Sequence, residues 1–293
     1  MKRVLVVCNH FPVDLGRYMR DAFHRVGADV RSVGPDLGSV IWGLKLDASR
    51  AWKPDGPIDA FWPDWTPDLV VHSMQPPVRF HPHYRDVPHV VYTVDNHHMD
   101  FRGEGIAHYF LGHLHSRVMP VSGPTDTWLP CAYDPAAFTP GPVPFSQREF
   151  DLAMVGELYP HRVEILKAMK AAGFKVMAGM GAVYDQYRNI YHQARISLCP
   201  SACGDVGQRI FETAAMNCLI LADSCEDFSS LRADGIVIYE NIADAVEKAR
   251  RYLADPQGAQ QMIARSSAWA KPHTWDARAN VILKWIEQRQ SAG

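Results

Sequence analysis

No stretch of this 293-residue chain approaches the ~20 consecutive apolar residues that a membrane-spanning helix needs. The first aliphatic run, Val4-Leu5-Val6-Val7 behind Met1-Lys2-Arg3, breaks at Cys8-Asn9-His10, too short for the apolar part of a signal peptide. A soluble, cytoplasmic, reduced protein is the expectation. An excess of one charge is also missing. Lysine plus arginine number 30 against 32 aspartates plus glutamates, a formal net charge of −2, and no cationic tail stands out. A nucleic-acid partner usually leaves a basic footprint, so the balance argues mildly against one, short of a patch assembled by folding. Cysteine pairing is scarce as well. Cys199-Pro-Ser-Ala-Cys203 has a loose metal-like spacing, but no second pair accompanies it, which argues against a zinc site. Cys8, Cys199 and Cys218 lie in or beside apolar runs and read as buried thiols acting as small apolar residues. Nor does G-x-G-x-x-G follow the first strand, so the N-terminal part does not read as a dinucleotide site.

What is present is ordinary globular material. Hydrophobic residues make up 47% and charged residues 21%, and the length suits two domains of roughly 150 residues. Short aliphatic runs bounded by turn formers alternate with helical patterns, the signature of parallel sheets with crossover helices. In the N-terminal part the strands are expected at 4–8, 28–33, 69–71, 89–94 and 117–121, with an amphipathic helix at 15–26 closed by Gly27. Residues 42–67 are rich in Trp, Pro and Asp and read as an insertion. Trp42, Trp52, Trp62 and Trp65 there are more naturally packing residues than a stacking platform for a sugar or base. Residues 133–146 carry Pro135, Pro140, Pro142 and Pro144 and mark the domain boundary. A second alternation follows, with strands at 150–155, 174–178, 195–199 and 219–222. Helices are expected at 162–171, 183–192, 207–216, 243–253, 257–270 and 275–288. The expected organisation is therefore an N-terminal lobe over 1–140, a C-terminal lobe over 146–270 and a final helical segment over 271–293, an α/β chain of two Rossmann-like lobes.

The sharpest local pattern is Gly207-Gln208-Arg209-Ile210-Phe211-Glu212-Thr213-Ala214-Ala215-Met216-Asn217-Cys218 before Leu219-Ile220-Leu221-Ala222-Asp223. It reads as loop, helix, tight turn and buried strand. A helix N-terminus offers unpaired amides and a positive dipole end. Arg209 in the first turn is disfavoured by that dipole unless an anion compensates, and Glu212 falls on the same face. A guanidinium suits bidentate phosphate binding, and a carboxylate can accept from two vicinal ribose hydroxyls. The competing reading is an ordinary Arg–Glu pair on a helix surface.

This segment resembles the donor-binding helix of GT-B glycosyltransferases, particularly the group similar to the spore-maturation protein CgeB, with its Arg-x-Phe-Glu, small residues, turn and buried strand. Three further stretches agree: Val155-Gly156-Glu157-Leu158-Tyr159-Pro160-His161-Arg162, then His273-Thr274-Trp275 with Arg278, and Trp128-Leu129-Pro130-Cys131-Ala132-Tyr133-Asp134-Pro135 with Phe138. The likeness covers about residues 128–288 and is thinner before them. It implies a GT-B fold with parallel sheets facing a central cleft, and a hexosyltransferase-like enzyme taking its sugar from a nucleotide diphosphate donor such as a UDP-sugar. It implies that Arg209 meets the diphosphate and Glu212 the ribose, with Gly156, Glu157, Arg162, Ser201, Asp205, Gly207 and Gln208 lining the donor site. The wider retaining pattern places a second Glu eight residues before the first, where this chain has Gly204, with Asp205 one step later.

A second constellation is histidine-rich. Eleven of the 14 histidines precede residue 116, and the densest part is Val94-Asp95-Asn96-His97-His98 at the end of an expected strand. Ligands of open α/β sheets bind beyond the carboxyl ends of strands. Asp95-Asn96-His97 matches the Asp-x-His that the CgeB-like group often carries here. Asp95 and His97 become candidates to orient or deprotonate an acceptor hydroxyl, and His10 and His98 candidates for acceptor contact. A structural role and a metal site compete with that reading. The protein is expected to be a glycosyltransferase, retaining and metal-independent, with no cofactor beyond its nucleotide-sugar donor and an acceptor that is a small molecule, a glycan or modified DNA. The alternatives are a nucleotide-sugar epimerase or hydrolase, a phage-type glucosyltransferase acting on hydroxymethylated DNA bases, a non-catalytic nucleotide-sugar binding module, and a metalloenzyme built on the histidines.

Overall fold

The structure is a computed structural model, and it describes residues 1–8, 14–35, 51–52, 64–74 and 86–292. The chain forms two compact units, Met1–Pro130 with Trp275–Gly293, and Cys131–Thr274. The proline-rich run 133–146 falls inside the second unit, and the last helix is counted with the first.

The first unit is built on a sheet of β1 (Arg3–Val7), β2 (Asp29–Pro35), β3 (Ala51–Trp52), β4 (Leu69–Ser73), β5 (His89–Thr93), β6 (Ile106–Leu111) and β7 (Asp126–Trp128). Its order is β3-β2-β1-β4-β5-β6-β7, and each neighbouring pair is parallel. A strand covered on both faces must be apolar throughout, and Val4, Leu5, Val6 and Val7 are fully buried. Each such side chain contributes about 1.5–3 kcal/mol on leaving water. The helix α1 (Leu15–Arg25) starts from Asp14, whose carboxylate accepts from the Gly16 amide at 2.7 Å, and Gly27 follows its end at φ +89°. It packs against α8 (Trp275–Ala292). Trp275 is fully buried, stacked on Tyr18 with ring centroids 6.1 Å apart and edge-on to Tyr92 at 5.8 Å. Trp65 is packed down as well: its Nε1 donates to Asp29 at 2.7 Å and the Arg31 guanidinium covers the ring at 4.7 Å. Trp42 and Trp62 lie outside the described residues.

One expected strand is absent. Residues 117–121 form loop, because Ser116 and Met119 are tied back to the buried Asn96 rather than to a neighbouring strand. Ser116 Oγ donates to the Asn96 carbonyl at 2.5 Å, and the Met119 amide donates to it at 3.1 Å. The strands at this edge are β6 and β7 instead.

The second unit holds β8 (Phe150–Val155), β9 (Val176–Gly179), β10 (Ala194–Cys199), β11 (Leu219–Asp223) and β12 (Ile236–Tyr239) in the order β12-β11-β10-β8-β9, again parallel at every pairing. The helices α2 (Pro160–Ala171), α3 (Tyr184–His192), α4 (Gln208–Ala215), α5 (Asp227–Ser230), α6 (Ile242–Ala254) and α7 (Pro256–Ala270) connect and follow the strands. One side of the sheet buries Leu152, Met154, Ile196, Leu198, Leu219 and Leu221 against Ile165, Leu166, Met169 and Ile263 from the helices. Asn217 makes the turn from α4 into β11 at φ +57°, a left-handed conformation that asparagine tolerates. In both units the strand order reverses direction once, and in the second unit β8 is where it does so. The chain leaves β8 for β9 on one side and returns to β10 on the other. That reversal opens a crevice beyond the carboxyl ends of β8 and β10.

Candidate functional site

Two helices start from this crevice, α2 from the end of β8 and α4 from the end of β10. The first turn of α2 carries Arg162. Its Nε donates to the Pro200 carbonyl at 3.0 Å and its Nη1 to the Glu157 carbonyl at 3.0 Å, so one buried guanidinium straps the loop after β8 to the loop after β10. The Tyr159 ring lies beneath it at 4.9 Å, and the Tyr159 hydroxyl donates to Glu157 Oε2 at 3.1 Å. Burial pulls the Arg162 pKa down, and the positive charge of Arg209 pulls it further.

Arg209 is the second residue of α4. Its Nε is buried with no hydrogen-bond partner. Its guanidinium lies against Gly156, at φ +139° at the end of β8, where an added Cβ would collide with Nη2. Burial opposes the charge, but Tyr191, Cys199, Tyr187 and Glu212 outweigh it and leave the pKa raised. The N-terminus of α4 has Gly207 at its cap and no capping side chain. Two guanidiniums in each other's field, partly desolvated, beside uncapped helix amides, make a costly arrangement in isolation. An anion seated at the crevice would relieve it.

Glu212, one turn further along α4, is buried. Its Oε2 accepts from the Tyr187 hydroxyl at 2.6 Å and its Oε1 from Gln208 Nε2 at 2.5 Å. Burial raises its pKa, while the hydrogen bonds from Tyr187 and Gln208 and the charge of Arg209 act against that rise. The loop after β10 is drawn tight by its own polar groups. Asp223, at the end of β11, accepts from the Ser201 amide at 2.8 Å and from its hydroxyl at 2.6 Å. Asp205 Oδ1 accepts from the amides of Ala202 and Cys203 at 2.8 and 2.9 Å. His161 Nε2 donates to the Ser201 carbonyl at 2.8 Å, and Gly204 stands at φ +77° with its carbonyl accepting from Cys225 Sγ at 2.7 Å. Gly156, Glu157, Arg162, Ser201, Asp205, Gly207, Gln208, Arg209 and Glu212 are thus gathered on the loops and helix starts that follow β8 and β10. Sequence reasoning quoted Tyr159 and Asp223 within its motifs without giving them a site role, and it missed Tyr187, which reaches Glu212 from another helix and leaves no local motif.

In the first unit, the residues after β5 form a compact turn. The Asp95 amide donates to Thr93 Oγ1 at 3.0 Å, and the Asp95 carbonyl accepts from the amides of His98 and Met99. A carbonyl only accepts, so the 3.0 Å contact of His97 Nδ1 with the Val94 carbonyl places the proton on Nδ1. In the neutral ring Nε2 is then the acceptor nitrogen. The His97 ring lies 4.0 Å from that of His98 and 4.5 Å from that of His113. Asn96 pins the turn from below, donating to the carbonyls of His113 and Met119 at 2.8 and 3.0 Å and accepting from the His113 amide at 3.1 Å. His10 lies outside the described residues.

A doubly wound parallel sheet in each unit is the arrangement of the GT-B fold. The comparisons say the same. Residues 144–284 match the model of the glycosyl transferase-like family. Residues 144–284 therefore carry a glycosyl transferase-like domain, and the chain has the GT-B fold. Among solved structures it is similar to AviGT4, a glycosyltransferase involved in avilamycin A biosynthesis, at TM-score 0.69 and 15% identity, covering 100% of this chain and 99% of that one. It is similar to Anabaena HepE in complex with UDP-glucose at TM-score 0.68 and 9% identity, over 100% of both chains. It is also similar to an alpha-glucosyltransferase in complex with UDP and a 13-mer DNA containing a HMU base, at TM-score 0.67 and 10% identity, over 97% of this chain and 99% of that one. Comparison with curated proteins gives no match. Among the described residues, no helix is long and apolar enough to cross a membrane.

Proposed function

We propose that this glycosyltransferase moves a sugar from a nucleotide diphosphate sugar to a hydroxyl acceptor, with retention of configuration and without a metal. The observation that carries the donor half is the pair Arg162 and Arg209 beside the uncapped start of α4. As the bond between the sugar and the diphosphate breaks, negative charge grows on the leaving phosphate. Preorganised positive groups at that point supply the kind of electrostatic stabilisation that usually dominates catalysis. The protein's own donors take the place of a metal ion. Glu212 takes the ribose. Acceptor binding is assigned to the first unit, to the turn after β5 that carries Asp95, His97 and His98, where the rings of the two histidines lie 4.0 Å apart. The retaining assignment draws support from the likeness to an alpha-glucosyltransferase.

Thermal-shift measurements against UDP-, GDP-, ADP- and dTDP-sugars test the donor half. A donor at about a hundredfold above its Kd stabilises the native state by about 2.7 kcal/mol, so one of them should raise the melting temperature by several degrees. If none does, the donor reading is lost. The transfer assay then runs with chelator present, offering small glycosides, glycans and hydroxymethylated DNA as acceptors, with the anomeric configuration of the product read by NMR.

A further inference from the structure

We infer that Tyr187 is the positioning residue for Glu212, and that the two together confine the donor to ribonucleoside, rather than 2′-deoxyribonucleoside, diphosphate sugars. The inference rests on the donor reading above and deepens it. Tyr187 comes from α3 and Glu212 from α4, so no sequence spacing joins them. The Tyr187 hydroxyl donates to Glu212 Oε2 at 2.6 Å, and Gln208 Nε2 donates to Oε1 at 2.5 Å. Each carboxylate oxygen has two lone pairs. With one protein donor on each, the plane of the carboxylate is fixed and one acceptor position per oxygen is left over, side by side. A vicinal diol supplies two donors at that spacing. A 2′-deoxyribose supplies one and leaves the other oxygen of a buried carboxylate short of a partner, which costs binding energy.

The Tyr187 ring is itself held. Its centroid is 4.8 Å from that of Tyr191 and 5.9 Å from that of Phe138. Tyr191 is fully buried, and its hydroxyl accepts from the Val155 amide at 3.0 Å, next to Gly156 at the donor crevice. A chain of contacts therefore runs from the end of β8 through Tyr191 and Tyr187 to the carboxylate. A hydroxyl serving stability alone would not need to point at the same carboxylate that stands beside Arg209.

The test is isothermal titration of the full chain with UDP, GDP and ADP and with their 2′-deoxy counterparts. In the wild type, the ribonucleotide that binds should bind at least about tenfold more tightly than its deoxy form, the fold-change that one lost charged hydrogen bond produces. In Tyr187→Phe that ratio should collapse to about threefold or less. The loss should come from weaker ribonucleotide binding, with affinity for the deoxy form nearly unchanged. Gln208→Met should act in the same direction and carries the test if Tyr187→Phe melts early. A ratio near one in the wild type, or an undiminished ratio in both folded variants, overturns the inference and leaves the donor reading standing. If none of the six nucleotides binds the wild type, the donor reading falls and takes this inference with it.

Discussion

The guanidinium of Arg209 rests on the bare α-carbon of Gly156, at the place where any side chain would strike Nη2. The contact joins α4 to the end of β8. At φ +139° position 156 is also one that side-chain-bearing residues rarely adopt. Gly156→Ala should therefore do two separable things. Backbone strain should cost about 1–3 kcal/mol of stability, read by urea unfolding. Displacement of the guanidinium should weaken nucleotide binding by about tenfold or more, read by titration. An alanine variant with wild-type nucleotide affinity would show that the Gly156 contact does not set the position of Arg209.

Replacing the charge itself should separate function from stability. Arg209→Ala is expected to lower kcat/KM for transfer by about 10²–10³, the size of effect seen when one preorganised donor to developing negative charge is lost. The melting temperature should fall only modestly, because the loss of a charge that Tyr191, Tyr187 and Glu212 favour is partly offset by relief of Arg162, whose pKa that charge depresses. Arg209→Lys should recover only part of the rate, since an ammonium cannot reproduce the planar fork. A severe loss of stability in Arg209→Ala would recast the residue as structural.

Much of this was legible in the sequence, and the reason is local. The order of loop, helix, turn and buried strand over 207–223 is a pattern of neighbours, and so are the placement of Arg209 in the first turn and of Glu212 on the same face. The alternation of strands and helices is local too, and it locates β1, β2, β4, β5 and β8 to β11, though not β3, β6, β7 or β12. What failed to show was tertiary. Tyr187 reaches Glu212 from 25 residues away. The run 117–121 is apolar enough to suggest a strand, yet the buried Asn96 claims its neighbouring backbone groups. The strand β6 went unnoticed because His108 and Tyr109 interrupt its aliphatic character, although both are buried. Their polar atoms find partners only in the fold, His108 Nε2 at Thr127 Oγ1, 2.8 Å away, and the Tyr109 hydroxyl at the Gly103 backbone.

Arg148 belongs to the same class of invisible residue. It is buried at the entrance to β8, where its Nη1 donates to the carbonyls of Ala194 and Asn217, both at 2.9 Å, and its Nε to Val143 at 3.2 Å. These bonds tie the start of β10 and the turn before β11 to the segment leading into β8. Arg148→Met keeps the stem and removes the fork, leaving three carbonyls to find other donors. A loss of about 2–4 kcal/mol is expected, measured from urea midpoints at constant slope. The donor site lies at the other end of these strands, so nucleotide affinity should change less than threefold in the folded variant. A stability change below about 1 kcal/mol would mean water replaces the guanidinium at no cost.

Acid should expose the neighbouring strands β4 and β5 through His72. Both His72 and His89 are buried, with His72 Nε2 3.2 Å from His89 Nδ1. One ring donates to the other, which requires at least one neutral imidazole. Burial first, and then the neighbouring His89, push the His72 pKa down from 6.5 to about 3. Its sign follows from proton counting. Below pH 6.5 the unfolded chain protonates this side chain while the native state does not, so the unfolded state binds more protons and stability falls with pH. The loss runs from pH 6.5 down towards pH 3 at about 1.4 kcal/mol per unit, or about 2 kcal/mol by pH 5. His72→Gln removes the titration and keeps a polar side chain. Urea unfolding at pH 7 and pH 5 should then show a decline up to about 2 kcal/mol smaller in the variant than in the wild type, less whatever His89 gains once its neighbour no longer titrates. Equal declines would mean that His72 is already protonated in the native sheet at pH 5.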